Sequence, residues 1–219
     1  MFPVYNERAL LVGKTLVIAD LHIGLEYELR KKGIFIFSQS EKIKKRIVSL
    51  LEKTKAKRII LLGDLKHNIP RATFEEYREI PKLIDELSEK AQIILIKGNH
   101  DGNLEKLLPN YEILANFEEK GIFYTHGHRK IEPEENKTYV FAHFHPCIEF
   151  KDEFGFRIKE IAWIRGKLRN GSKFIILPAF NELIEGMPFN RELKREGILK
   201  HIDFNSVEAY LLDGTCLRI

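Results

Sequence analysis

The chain is poor in sulfur and in tryptophan: its 219 residues hold two cysteines, two methionines and one tryptophan. Cys147 and Cys216 are too few and too far apart for a disulfide framework or a thiolate metal site, so both are expected to be reduced and buried. Long apolar runs are missing as well. A membrane span needs roughly 20 consecutive apolar residues, and nothing here comes near that. The opening MFPVYNERALLVGK lacks the basic-then-apolar order of a signal peptide, so a cytoplasmic protein without a membrane partner is expected. A strong charge of one sign is also absent. The balance of 36 basic against 32 acidic residues leaves +4, which permits a nucleic-acid partner without demanding one. There is no internal repeat, low-complexity tract or polar linker, and the length and 44% apolar content suit a single domain over residues 1–219.

Short apolar runs and helical patterns alternate. Strands are expected at 9–12, 15–19, 58–62, 92–96, 121–125 and 138–142, the middle four apolar on both faces like parallel strands under helices. One helix is expected from a capping box at Ser38 and Glu41, another from Thr73 and Glu76, with Pro81 breaking or kinking the second. The basic stretch from Lys42 to Arg58 carries Ile43, Ile47, Leu50 and Leu51 on one stripe, so its lysines read as the solvated side of an amphipathic helix. After residue 145 the pattern turns antiparallel, with hairpin cues at Asn170-Gly171 and Asp213-Gly214. A second sheet packed on the first accounts for both halves.

The turns at the strand ends carry the chemistry. The run 15–19 leads into Asp20-Leu21-His22, and 58–62 into Gly63-Asp64-Leu65-Lys66-His67. Residues 92–96 lead to Gly98-Asn99-His100-Asp101, 121–125 to His126-Gly127-His128, and 138–142 to His143-Phe144-His145. In isolation the third cluster is ordinary turn chemistry, with Gly98 and Gly102 expected at positive φ. Together the clusters hold seven of the eight histidines, leaving only His201 outside, and the carboxyl ends of strands in an open α/β sheet share one edge. So many imidazoles and carboxylates repel and compete for protons unless something positive holds them. Imidazole, carboxylate and amide donors without thiolate suit Mn, Fe, Zn, Ni or Co. About eight such groups suit two ions, which roughly 3.5–4 Å apart generate a hydroxide near neutral pH and clamp a phosphoryl group during in-line displacement.

The order D-x-H, G-D, G-N-H-D, H-G-H and A-H-x-H over residues 15–147 resembles the calcineurin-like metallophosphoesterases. With LPAFNELIEG at 177–186 it is similar to the branch of ligase-associated DNA-damage-response phosphoesterases. The resemblance implies a four-layer α-β-β-α sandwich of the α/β (α+β) class, with two mixed sheets and a metal site at the carboxyl ends of the strands. It implies two divalent ions per chain, manganese first and Fe, Zn, Ni, Co or Mg as alternatives. Asp20, His22 and His145 would hold one ion, Asn99, His126 and His143 the other, with Asp64 bridging. His100 would protonate the leaving oxygen, oriented by Asp101. The implied activity is hydrolysis of phosphate esters, diesters of nucleic acid or nucleotides foremost, with a phosphomonoesterase or a non-catalytic metal-binding scaffold as alternatives.

Two positions depart from the family pattern. Ala142 replaces the usual glycine, and Lys66 and His67 occupy a variable polar pair. Lys66, His67 and His128 could each contact substrate or support the ligands. Phe180-Asn181-Glu182 could wall a pocket, and Trp163 with Arg165 could stack a base, although packing explains these residues as well.

Overall fold

The computed structural model describes residues 1–191, 193 and 196–219. Among them are two mixed sheets. The first runs β1 (Phe2–Pro3), β2 (Leu10–Val12), β3 (Thr15–Ile18), β4 (Arg58–Leu62), β5 (Gln92–Ile96) and β6 (Ile113–Leu114), parallel from β3 onward. The second contains β7 (Asn116–Glu119), β8 (Ile122–Thr125), β9 (Thr138–Phe141), β10 (Pro146–Lys151), β11 (Arg157–Leu168), β12 (Lys173–Ile176), β13 (Met187–Pro188), β14 (Ile202–Leu211) and β15 (Cys216–Arg218). Its order is β13-β10-β11-β12-β9-β8-β7, with β14 on β11 and β15 on β14. Within it β8, β9 and β12 are parallel neighbours. The strand-end clusters therefore come from two sheets, three from the first and two from the second, and not from one open sheet.

Alternation along each strand explains the layers. Leu16 and Ile18, with Ile59 and Leu61, face the helices α2 (Ser40–Thr54) and α3 (Phe74–Ser88) through Ile43, Ile47, Leu50, Ile80, Leu83 and Ile84. The intervening Val17, Ala19, Ile60 and Leu62 meet Tyr124, Val140, Ala142, Trp163 and Leu177 between the sheets. Tyr139 and Phe141 face outward from the second sheet, where Phe189 and the 3-10 turn Gly197–His201 cover them. Burial on both faces is why these strands read as unbroken apolar runs. Trp163 is core, while Arg165 lies over the Tyr210 ring and pairs with Glu208 on the surface, which supports the packing account of both. At the amino ends of the strands Arg58 of β4 reaches Glu119 of β7 with both guanidinium nitrogens and ties the two sheets.

Several local expectations need correction. Helix α2 starts at Ser40 with Gln39 as its cap and no side-chain bond from that cap; the Ser38 hydroxyl accepts from Ser40 N at 3.3 Å and donates to Glu79 at 2.6 Å, while Glu41 pairs with Lys44. Pro81 lies inside α3, which continues past it because Ile80, Leu83, Ile84 and Leu87 are all buried; packing outweighs the missing donor. Cys147 is buried, but Cys216 is exposed. The remaining helices are α1 (Leu25–Lys31) and α4 (Leu104–Leu107), and no helix among the described residues is long and apolar enough to cross a membrane.

The capping box of α3 forms as expected, and its glutamate does more than cap. The buried Glu76 carboxylate accepts from Thr73 N at 2.5 Å, and also from His67 N at 2.9 Å and Asn68 N at 2.8 Å. One side chain thus fixes both the helix start and the loop after β4. Thr73→Ala should cost about 1 kcal/mol, the usual worth of a cap. Glu76→Ala should cost roughly 3 kcal/mol or more, since several buried donors lose their acceptor. Equal shifts for the two variants in urea denaturation would refute the dual role.

Candidate metal centre

The loops after β3 and β4 are joined through their backbones. Asp20 N donates to Gly63 O at 3.1 Å, His22 N to Asp64 O at 2.9 Å and Ile23 N to Leu65 O at 2.9 Å. The segment after β12 supports the same loop from behind: Phe180 N donates to Ala19 O at 2.9 Å and Asn181 Nδ2 to Leu21 O at 2.9 Å. Residues 180–181 therefore brace the Asp20 loop, and Glu182 pairs outward with Lys42 and Arg46. Held this way, Asp20, His22 and Asp64 take positive φ, and His143 and His145 after β9 do so as well, a conformation that residues with a Cβ rarely adopt. Left-handed backbone at five candidate ligands is strain that the packing of these loops sustains.

Among the described residues three groups of side chains bring ligand atoms together: His22, His67 and His100 form one, and the expected Asp and His ligands fall in the other two. In one of these two, Asp20, His22 and His145 can bring ligand atoms within 4.8 Å of one another; in the other, Asp64, His126 and His143 do so. Asp64 Oδ2 lies between them, 3.2 Å from His126 Nε2 and 3.7 Å from His22 Nε2. Asn99 Oδ1 is 3.2 Å from the same His126 nitrogen. His126 Nδ1 lies 2.9 Å from the Leu62 carbonyl, which can only accept, so Nδ1 carries the proton and Nε2 faces the site. All seven residues expected as ligands are thus brought together.

The electrostatics ask for a cation. Burial drives His22 down to about 3 and His143 down to about 4, so both are neutral donors of a lone pair. Burial also lowers His126, but hydrogen bonding to Asp64 and the charges of Asp20 and Asp64 outweigh it and push the ring up to about 9. A proton is held where the negative potential is deepest. Both Asp20 and Asp64 stay below the usual carboxylate range, burial being overcome by the surrounding imidazoles. Asp20 Oδ1, His22 Nε2 and His145 Nε2 are buried with no hydrogen-bond partner. Orphaned donor atoms of this kind, aimed into one space, fit divalent ions.

The remaining candidates divide. His100 N donates to Asp64 Oδ1 at 2.8 Å, and its Nδ1 donates to the His67 carbonyl at 2.5 Å. Asp101 does not orient His100: its fully buried carboxylate accepts from Lys66 N at 3.1 Å and Gly98 N at 2.8 Å and so clamps two loops together. Lys66 is buried, with Nζ on the Asn68 carbonyl. His67 and His100 stack at 5.4 Å, and His128 is half-buried, 5.3 Å from His126 between ring centroids. Sequence reasoning misses Glu28, which lies 2.7 Å from His67 Nε2, and reads Glu76 only as a cap. Neither contact leaves a local sequence signal, because the partners are 39 and 9 positions away.

The glycines of the third cluster also act differently from expectation. Neither Gly98 nor Gly102 has a positive φ. Gly98 is needed for space: a Cβ there would lie 2.1 Å from Asp64 Oδ1 and 2.2 Å from Asp64 N. At Gly102 the nearest atom would be 3.9 Å away. Gly98→Ala should therefore destabilise the fold by about 3 kcal/mol or displace Asp64, and Gly102→Ala should stay within about 0.5 kcal/mol of the parent. Equal melting shifts would show that space at residue 98 is not limiting.

Comparison with known proteins agrees with this geometry. The Calcineurin-like phosphoesterase family model matches residues 13–213. Phosphodiesterase YfcE of Escherichia coli (strain K12) is 29% identical over 121 residues, which cover 49% of this chain and 65% of YfcE, so the match spans less than two thirds of that relative. The crystal structure of Pseudomonas putida nuclease MPE superposes with a TM-score of 0.63 at 19% identity, over 96% of this chain and 91% of that one, a likeness of fold. With a family model matched over almost its whole length and the family's motifs gathered at one site, the chain belongs to the calcineurin-like phosphoesterase family.

Proposed function

We propose that the protein, as a single domain over residues 1–219, hydrolyses phosphate esters at a centre of two divalent ions, with manganese the first choice and phosphodiesters of nucleic acid or nucleotides as substrates. The observation that carries this reading is the place of Asp64, whose Oδ2 belongs with His126 and His143 at 3.2 Å from His126 Nε2 and also lies 3.7 Å from His22 Nε2 of the neighbouring set. Asp20, His22 and His145 would hold one ion, Asn99, His126 and His143 the other, and Asp64 both. Such ions, when bound, make water nucleophilic at neutral pH and neutralise phosphoryl oxygens.

The chain's own groups do the rest. His100 gives its Nδ1 proton to a carbonyl, so Nε2 is the atom left to protonate a leaving oxygen, and its backbone N–H holds Asp64 in place. Asp101 keeps the loops of Asp64 and His100 in register. Phe35 and Phe37 are 81% and 94% exposed over a surface that holds Arg30 and Arg78 but also Glu26, Glu75 and Glu79, so its charge is mixed. Support for a diester comes from the relatives. YfcE is named a phosphodiesterase and MPE a nuclease. Activity of metal-replete protein on a chromogenic diester, a chromogenic monoester, cyclic nucleotides and DNA separates the diester reading from a phosphomonoesterase, and turnover of none would leave a binding scaffold.

Chelator-stripped protein should take up two divalent ions per chain and regain hydrolysis with them. Asp64→Asn should weaken both sites, because each loses a charged ligand. One ion in active, saturated protein would overturn the binuclear reading.

For His100→Asn, both ions and phosphate binding should persist while turnover of a nucleotide diester falls by roughly 100- to 10,000-fold. A nitrophenyl ester, whose leaving group needs little protonation, should suffer less. Asn99→Ala should instead weaken one ion and slow both substrates alike. Equal slowing of the two leaving groups by His100→Asn, with chemistry limiting, would remove His100 as the acid.

A further inference from the structure

His22 turns its unpartnered Nε2 towards the site, and its other ring nitrogen is paired in an unusual way. Nδ1 lies 3.1 Å from Nδ1 of His67, and His67 Nε2 lies 2.7 Å from Glu28 Oε2. The three side chains form a line from α1, through the loop after β4, to the loop after β3. A cation-binding imidazole needs its lone pair at Nε2 and so carries its proton on Nδ1. That N–H can only donate, His67 Nδ1 must accept, and neutral His67 then holds its proton on Nε2, facing the carboxylate. Once His22 binds a cation, each link has one donor and one acceptor in this direction alone.

We propose that Glu28 and His67 are positioning residues that fix the tautomer and ring orientation of His22 for a divalent ion. The inference rests on the two-ion reading above. A carboxylate or carbonyl commonly orients a ligating histidine directly; here one more ring lies between. The His22 and His67 rings meet edge to face at 70°, with centroids 5.1 Å apart. The backbone of residue 67 is secured without its side chain, since His67 N donates to Glu76 at 2.9 Å and to Ile23 O at 3.0 Å. Glu28 is a surface residue, its side chain 43% exposed and also paired with Lys32. Replacing either side chain should leave the loops in place and change only what His22 presents.

The test is calorimetric titration of chelator-stripped protein with Mn(II). The parent should bind two ions. His67→Ala should weaken one of them by about 10- to 100-fold and spare the other, and Glu28→Gln should weaken the same one by less. His67→Gln, whose amide can accept from His22 and donate to Glu28, should recover part of the loss. Unfolding temperatures of the metal-free proteins should match the parent. In the zinc-loaded protein, long-range proton–nitrogen spectra should find His67 protonated on Nε2. Parent-like affinities in His67→Ala and Glu28→Gln, equal loss at both sites with a lowered unfolding temperature, or a His67 proton on Nδ1 would each overturn the proposal. If the parent binds no ion, the two-ion reading falls with it; if the parent binds two and the variants match it, this inference falls alone.

Discussion

The closeness with which three loops press on the Gly63-Asp64 turn governs everything at this edge of the molecule. A Cβ on residue 63 would lie 2.3 Å from His126 Nδ1, and one on residue 98 would overlap the Asp64 backbone. Two glycines therefore set the distance between the ends of β4, β5 and β8. With that distance fixed, Asp64 has no freedom to turn away, and its carboxylate reaches imidazoles on both sides. The left-handed backbone at five candidate ligands is the other half of the same constraint. Each such residue costs on the order of 1–3 kcal/mol, and the conformation persists because backbone bonds over-determine it: those between the β3 and β4 loops with the brace from Asn181, and those joining Ala142 to His126, Phe144 to Ala142 and His145 to Met187.

This crowding also sets the chemistry. Burial makes His22 and His143 neutral, while the carboxylates beside them remain ionised, so the pocket is rich in lone pairs and short of positive charge. A buried site of that kind is stable only with a cation in it or a proton taken up, and His126 takes the proton. The strain and the charge imbalance are two effects of one arrangement, a crowded set of candidate ligands.

Much of this is legible in the sequence, because the signals are local. Five apolar runs, each ending in a ligand-bearing turn, locate the strands and the site together, and the stripe Ile43, Ile47, Leu50 and Leu51 locates α2. That a second sheet packs on the first is legible, but which strands belong to which sheet is hidden: β3, β4 and β9 are buried on both faces, as is the end of β8, so a strand between sheet and helices reads like a strand between sheet and sheet. At the start of α2, Glu41 pairs with Lys44 and not with the Ser38 end of the helix. Other misreadings share a cause, the override of local preference by distant contacts. Pro81 is carried by the core beneath it, and Gly98 answers to Asp64 in place of its own torsion angle. Asp101, expected to serve its neighbour His100, serves Lys66, 35 positions earlier. Asn181 braces a loop 160 positions away, which no window of sequence could display.

The two sheets meet across an apolar layer that resists separation but sets no direction, since burial of Val17, Ile60, Val140 and Leu177 is indifferent to small sliding. Directional ties lie at the two ends. At the amino ends Arg58 grips Glu119 across the seam; at the carboxyl ends the candidate ligands cross it, Asp20, His22 and Asp64 from one sheet and His126, His143 and His145 from the other. Mechanically the molecule is a pair of plates pinned at one end and fitted with a clasp at the other. An ion held by both plates would close that clasp, so occupancy of the site would also set how stiffly the sheets resist shear.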